Sequence, residues 1–233
     1  MVKPFFVAID GPAGAGKSTV SQEVARRLNL QYLDTGAMYR AITWKALQLN
    51  VNLEDDNFLK KLIENTKIQI KGKQKNLIIV DGTDVTTKIR TPEINNNVSI
   101  VAKSPVVRSA LVELQRKVAI DAGRIIMEGR DIGTKVLPDA HIKLFLTASL
   151  DERCRRRLKD FKDMNIKTDI QALKKELALR DKIDSERKDS PLMQAEDAFL
   201  IDTTNISFNE VVDKIVEIIE NHKDFKKQDS KDE

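Results

Sequence analysis

The run Gly11-Pro12-Ala13-Gly14-Ala15-Gly16-Lys17-Ser18 constrains the fold more than any other stretch of the chain. Its glycines allow backbone turns that successive N–H groups need if they are to converge on one point as an anion cradle. The pattern G-x-x-x-x-G-K-[ST] works where a strand runs into the loop and a helix leaves it, because the positive end of the helix completes the cradle. Both flanks are legible. FFVAID (Phe5 to Asp10) is a short, apolar, β-prone run. Lys17 to Leu28 places Val20, Val24 and Leu28 at intervals of four, on one helix face. The pattern arises by chance in roughly 1% of chains this long, and its placement makes accident rarer. Gly11, Pro12, Ala13, Gly14, Ala15, Gly16, Lys17, Ser18 and Thr19 are therefore read as a nucleoside triphosphate site. Lys17 would reach the β- and γ-phosphates, and the Ser18 hydroxyl would hold Mg²⁺.

Further buried-strand candidates are Arg124 to Glu128, Ile142 to Ala148 and Phe199 to Asp202. Between them Ser104-Pro105 predicts a capped helix start, Val107, Leu111, Leu114 and Val118 an apolar stripe, and Gly123 its end. Ser207 with Glu210 three residues on forms a capping-box pattern ahead of a last helix whose apolar face is Val211, Val212, Ile215, Ile218 and Ile219. Alternating strands and helices predict an α/β fold, a mostly parallel sheet of the phosphate-loop NTPase type flanked by helices. Lys67 to Val85 breaks the rhythm, with turn signals at Gly72 to Lys75 and at Asp81-Gly82, and predicts a small antiparallel insert. Residues 222–233, mostly charged and polar, predict a disordered tail.

At 233 residues the chain is expected to form one domain. No apolar run approaches the ~18 residues of a membrane span. Cys154 is a lone cysteine, without a partner for a disulfide or a zinc site, so a cytoplasmic protein is expected. The net charge of +4 comes from 40 Lys+Arg against 36 Asp+Glu, interspersed, and aromatics are 5% of residues, a poor composition for base stacking on nucleic acid.

A phosphate loop alone does not name the acceptor. A GTPase would carry an Asn-Lys-x-Asp motif, and the nearest string, Asn165-Ile-Lys-Thr-Asp169, has the wrong spacing. Four other clusters bear on the question. Asp34, Thr35, Tyr39 and Arg40 suit a nucleotide, and equally a helix start capped by Thr35 with Arg40 in solvent. Arg130 and Asp131 follow a strand, where ligands collect in open α/β sheets, although a surface turn with an ion pair would read the same way. Arg153, Arg156 and Arg157 lie off the apolar stripe Leu150, Cys154, Leu158, Phe161, as a solvated face or as a mobile lid that delivers charge. Arg180, Asp184 and Arg187 share a helical face, as a nucleotide clamp or a surface salt-bridge ladder.

Taken together, GPAGAGKST, LDTGAMYR, IRTPEINNNVS, EGRDIGT and ALRDKIDSER resemble the bacterial cytidylate kinases, in that family's order and over about residues 5–220. The resemblance implies transfer of the γ-phosphoryl group of ATP to CMP or dCMP. It implies cytosine recognition by Ser99, Arg108 and Asp131, pentose contacts at Arg180 and Asp184, and acceptor-phosphate contacts at Arg40, Arg130 and Arg187. Thr35 stands where the family often has serine, and Thr35 and Tyr39 line the acceptor pocket. Lys17, Arg130 and Arg157 are expected to face the transferring group. The layout implied is a core of about 1–35, 104–150 and 191–221, a monophosphate-binding region of about 36–103, and an arginine-rich helical lid of about 151–190. The expected partners are CMP or dCMP and ATP, with no nucleic acid or membrane and no oligomer demanded. The competing readings are a kinase for UMP, AMP or shikimate, and an ATP-binding module that touches RNA through its arginine helix.

Overall fold

The computed structural model describes residues 3–163 and 168–229. The expected strands form as β1 (Phe5–Asp10), β6 (Arg124–Gly129), β7 (Ile142–Thr147) and β8 (Phe199–Asp202), but β8 is an edge strand that buries only Ile201 and exposes Phe199 and Leu200, not the buried strand expected. They are joined by β2 (Gln31–Asp34), a strand that hydropathy does not single out. All five pair in parallel in the order β2-β6-β1-β7-β8. Parallel strands carry their loops to a common end, and β1, which feeds the phosphate loop, runs at the centre of the sheet.

The two faces of β1 seed the two halves of the core. Val7 and Ile9 pack with α1 (Lys17–Arg27) and α8 (Phe208–Glu220), whereas Ala8 packs with α2 (Thr35–Gln48), α3 (Asp56–Glu64) and α5 (Pro105–Ala122). This is the alternation that a strand buried on both faces imposes. The capping box at Ser207 and Glu210 forms as expected. So does the end of α5 at Gly123, whose φ of 69° glycine adopts readily. Ser104 precedes α5 but does not cap it. Its hydroxyl donates to Asp56 Oδ1 at 2.5 Å and ties α5 to the start of α3.

The insert is the antiparallel sheet β3 (Ile68–Lys71), β4 (Leu77–Val80) and β5 (Thr83–Asp84), with Ile68 opposite Val80 and Lys71 opposite Leu77. Ile78 and Val80 bury against Ala37 and Ala41 of α2. The hairpin loop also reaches β2: Tyr32 N donates to Lys73 O (2.7 Å), and the Asn76 amide bonds Tyr32 O (2.7 Å) and Asp34 N (2.8 Å). The open edge of β2 is covered by side-chain and loop partners that lie more than forty residues ahead in the chain. Beyond the insert, α4 (Pro92–Val101) packs on α2, and α6 (Leu150–Asp163) and α7 (Ile170–Glu186) form a hairpin around Cys154, Phe161, Leu173 and Leu177.

The expected charged tail is corrected over its first part. Lys223–Asp229 forms α9 and seats Phe225 in the core, 5.2 Å from the Phe5 ring and under the Arg124 guanidinium at 4.4 Å. One aromatic side chain outweighs its charged neighbours because burying it withdraws a large apolar area from water. Residues 230–233 of that tail lie outside the described residues. Among the described residues no helix is long and apolar enough to cross a membrane. Replacing Phe225 by alanine is expected to lower unfolding free energy by about 2–4 kcal/mol in urea denaturation. A loss under about 0.5 kcal/mol, the range of surface changes, would mean that α9 is peripheral.

Candidate functional site

Groups at the carboxyl ends of β1, β2 and β6 come together and are joined by side chains of the neighbouring helices. From β1 comes the phosphate loop. Gly11 leaves the strand with φ 147°, and a Cβ there would sit 1.9 Å from Leu146 O of β7, so the loop departs against a neighbouring backbone. Gly16, at φ 86°, turns the chain into α1. Lys17 folds over the loop and donates to Gly11 O (2.7 Å) and Pro12 O (2.8 Å). Burial first and then the nearby Arg130 lower its pKa to about 7, with Glu128 and Asp10 pulling the other way. Thr19 lies exposed, its hydroxyl donating to Gly16 O. Asp10 accepts from the N–H groups of Ile132 and Gly133, both at 2.8 Å, and so clamps the turn after β6 to the end of β1. Burial raises its carboxyl to about 6.

From β6 comes Glu128, buried beside Lys17. Tyr32 of β2 donates its hydroxyl to this carboxylate, and the Ser18 hydroxyl lies within hydrogen-bonding reach. Burial and then Asp34 push the Glu128 pKa up, while Lys17, Tyr32 and Ser18 oppose that. Ser18 and Glu128 thus place a hydroxyl and a carboxylate together at the start of α1. That hard-oxygen pair fits Mg²⁺, which is commonly held by one or two protein oxygens, substrate phosphates and water. Among the described residues there is no cage of three or more His, Cys, Asp or Glu side chains.

Past β6 the chain enters the pocket expected for the acceptor. Arg108 of α5 is buried and donates to Asp131, lies 3.6 Å from Asp189, and sits 5.7 Å from the Tyr39 ring. Arg187 approaches the other oxygen of Asp131 at 3.5 Å and donates to Ser190 O. Burial raises the Asp131 pKa although both guanidiniums oppose it, and burial pushes the Tyr39 hydroxyl up to about 12. Ser99 is buried on α4, which packs on α2 and touches α7. Deeper in the cleft Arg130 donates to Asp184 Oδ2 at 2.9 Å. Arg130 and Arg180 hold the Asp184 carboxyl below its usual range against the pull of burial. Arg180, within the fields of Arg130, Arg40 and Arg157, is lowered to about 10, chiefly by burial. Arg40 pairs with Asp34 at 2.5 Å, and the more exposed Arg90 lies 3.5 Å from the same carboxylate. Burial would raise Asp34, but Arg40 and Arg90 outweigh it and keep it ionised.

The cleft has donors to spare. Arg40 Nε, Arg108 Nε, Arg180 Nε and Arg187 Nη2 are all buried without a hydrogen-bond acceptor. Buried guanidinium N–H groups in such numbers call for anionic oxygens from a ligand.

Several readings from the sequence are corrected here. Thr35 does not cap α2: Asp34 does, accepting from Ala37 N, while the Thr35 hydroxyl donates to Glu128 O and joins β2 to β6. Arg40 is not left in solvent, and Arg180, Asp184 and Arg187 are not a surface ladder. Nor is the arginine run of α6 a solvated face. Arg153 is buried, Arg156 donates to Thr203 O and Thr203 Oγ1, and Arg157 lies half-buried 4.7 Å over the Phe161 ring. Lysine-like solvation is given up because each guanidinium finds acceptors or an aromatic face. Residues the sequence reading passed over are Asp10, Asp34 as a cap, Glu128, Arg90 and Asp181. A carboxylate as the last residue of an apolar strand was the available signal for Asp10, and a carboxylate one residue from the strand end for Glu128.

Comparison with known proteins agrees with this geometry. The sequence model of the family described as cytidylate kinase matches residues 7–221. The chain belongs to the cytidylate kinase family. A relative from Desulforamulus reducens, named cytidylate kinase, is 54% identical over 93% of this chain and 97% of its own length. Another of the same name from Geobacillus sp. is 52% identical over 91% of this chain and 95% of its own. Among solved structures, an uncharacterised protein from Eubacterium ventriosum shares the fold at a TM-score of 0.51 and 15% identity, over 94% of this chain and 99% of that one.

The depressed Lys17 pKa has a measurable sign. Near pH 8 a group with a pKa of about 7 is mostly neutral, and a bound polyphosphate draws it back to the ammonium form. ADP binding at pH 8 is therefore expected to take up close to one proton, and progressively less as the pH is lowered through 7, in calorimetry across buffers of different ionisation enthalpy. The Lys17→Met variant should take up none. Equal uptake by both proteins would place the proton elsewhere.

Proposed function

We propose that this protein transfers the γ-phosphoryl group of ATP to CMP or dCMP, giving ADP and CDP or dCDP. The observation that carries the reading is the buried Arg108–Asp131 pair, flanked by Tyr39 and Arg187, in a cleft where several buried guanidinium nitrogens lack acceptors. Cytosine offers an amine that needs an acceptor, and a ring nitrogen and carbonyl that need donors. Asp131 with Ser99 supplies the first and Arg108 the second. A base of the wrong pattern would leave these groups unpaired in a dry pocket, and mismatches of that kind discriminate by several powers of ten. The name cytidylate kinase carried by both relatives supports the choice.

We assign the roles as the family resemblance implies. Arg180 and Asp184 suit the pentose, and Arg40, Arg130 and Arg187 the acceptor phosphate. The amides of residues 11–19 and Lys17 hold the donor phosphates. Arg130 and Arg157 would face the transferring group. Phosphoryl transfer relies on alignment and charge neutralisation, so no side chain need act as a strong base. Mg²⁺, held by the Ser18 oxygen with Glu128 close by, would supply further neutralisation between the phosphates. Asp10 and Thr35 act on the framework, the one clamping β6 to β1 and the other β6 to β2. We read the α6–α7 hairpin as a lid that excludes water, the chain as a monomer and its site of action as the cytoplasm.

The arginine helix as an RNA-binding face is the weaker reading, because Arg153 and Arg156 are engaged by the protein itself. A coupled assay with CMP, UMP, AMP and shikimate as acceptors tests the assignment. Turnover of AMP comparable to that of CMP would remove the base-recognition scheme. Asp131→Asn, which keeps the side-chain shape but presents a donor to one side, is expected to lower kcat/KM for CMP by at least ~10²-fold. Without an acceptor, hydrolysis of ATP should be far slower than transfer to CMP, and equal rates would argue against a closing lid.

A further inference from the structure

Arg153 belongs to the arginine run of α6, yet its side chain is turned inward and only 8% exposed. It makes contacts with three separate parts of the fold. Nη1 donates to Ala13 O of the phosphate loop at 3.1 Å and lies 2.6 Å from Asp181 Oδ2 of α7, and Nε donates to Ala148 O at the end of β7 at 3.0 Å. We propose that Arg153 is a positioning residue that sets the amide direction of the phosphate loop and, through Asp181, ties that setting to the helix lining the acceptor pocket. This rests on the loop being the donor site and α7 the acceptor wall.

The reasoning is one of peptide geometry. No peptide bond among the described residues is cis, and in a planar trans unit the C=O and the following N–H point in opposite directions. With Ala13 O drawn toward Arg153, Gly14 N–H faces away from α6, on the side where the amides of the loop converge. A reversed unit would present a carbonyl oxygen to a phosphate, and like partial charges repel. Gly14, at φ 79°, makes such a reversal cheap, since glycine tolerates the conformations on both sides of it. A Cβ on Gly14 would lie 3.1 Å from Arg153 Cβ, so loop and arginine are in direct contact. The two orientations of this peptide are the two states that a coupling needs. Asp181 adjoins Arg180 and lies one turn from Asp184 on the same helix, so a ligand that settles α7 also steadies the grip of Arg153 on Ala13 O. By reciprocity, donor and acceptor each favour binding of the other.

The test uses fluorescent N-methylanthraniloyl-ADP with the full chain, in the presence and absence of CMP. Arg153→Met is expected to raise the Kd of the probe at least ~10-fold, because a charge-assisted contact that fixes the loop is lost. Arg153→Lys, keeping the charge without the fork, should fall between. In the wild type, saturating CMP should tighten probe binding at least ~5-fold. Asp181→Asn should leave the probe alone within ~2-fold but abolish that tightening. The Gly14 amide resonance should respond to the probe in the wild type and lose that response in Arg153→Met, because an N–H turned away from the phosphates no longer senses them. Wild-type affinity in a folded Arg153→Met variant, a Gly14 amide that still responds to the probe there, or the absence of mutual tightening in the wild type would each overturn the proposal. If Arg153→Met does not fold, Arg153→Lys and Asp181→Asn decide. Failure of the wild type to phosphorylate CMP, with the probe results as expected, would overturn the acceptor assignment and leave the role of Arg153 in the loop standing.

Discussion

Positive charge is crowded into one buried cleft, and the rest of the structure is arranged around that fact. Lys17, Arg40, Arg108, Arg130, Arg180 and Arg187 are withdrawn from bulk water, and buried ions are tolerated only when paired or bonded. Asp34, Glu128, Asp131 and Asp184 divide the task between them, each facing more than one cation. Burial, reinforced by neighbouring guanidiniums, depresses the pKa of Lys17 and Arg180, and several guanidinium nitrogens are left without acceptors. Phosphates complete the balance. In this sense the ligand-binding energy is stored as electrostatic strain, and the sheet supplies the rigidity needed to hold like charges close.

That rigidity comes from how the strand ends are cross-linked. Asp10 spans from β1 to the turn after β6, Thr35 from the start of α2 to β6, and Tyr32 from β2 to Glu128. Each link is a buried polar contact between neighbouring strands, and together they fix the spacing between the donor loop and the acceptor pocket. Site and scaffold are the same set of residues at the carboxyl ends, whereas the opposite ends of the strands carry the aromatic seat formed by Phe5 and Phe225.

Much of this was legible in the sequence where the signal is local. Long apolar runs gave β1, β6, β7 and β8, paired turn residues gave the hairpin of the insert, and the capping box and Gly123 gave helix ends, because in each case the physics acts within a few residues. The motif strings brought Arg40, Arg108, Asp131, Arg180, Asp184 and Arg187 into one place, and the fold does so too. What escaped is non-local. The strand β2 has four residues, polar at both ends, and owes its pairing partly to Lys73 and Asn76. Arg153 reads as surface by helical spacing and is buried by contacts with Ala13 and Asp181. Ser104 and Thr35 have the chemistry of caps, but better partners reach them from elsewhere in the fold.

The α6–α7 hairpin rests on a much smaller apolar cluster than the two that flank the sheet. Free energies of local opening scale with such burial, so this element should detach at temperatures where the sheet remains intact. Warming would then silence the enzyme while most of its backbone amides still resist hydrogen exchange. The chain also carries its own gauge of that event. Its single cysteine, Cys154, is sealed inside the hairpin with its thiol against Ile170 O, so the rate at which a thiol reagent finds it would time the opening of the hairpin.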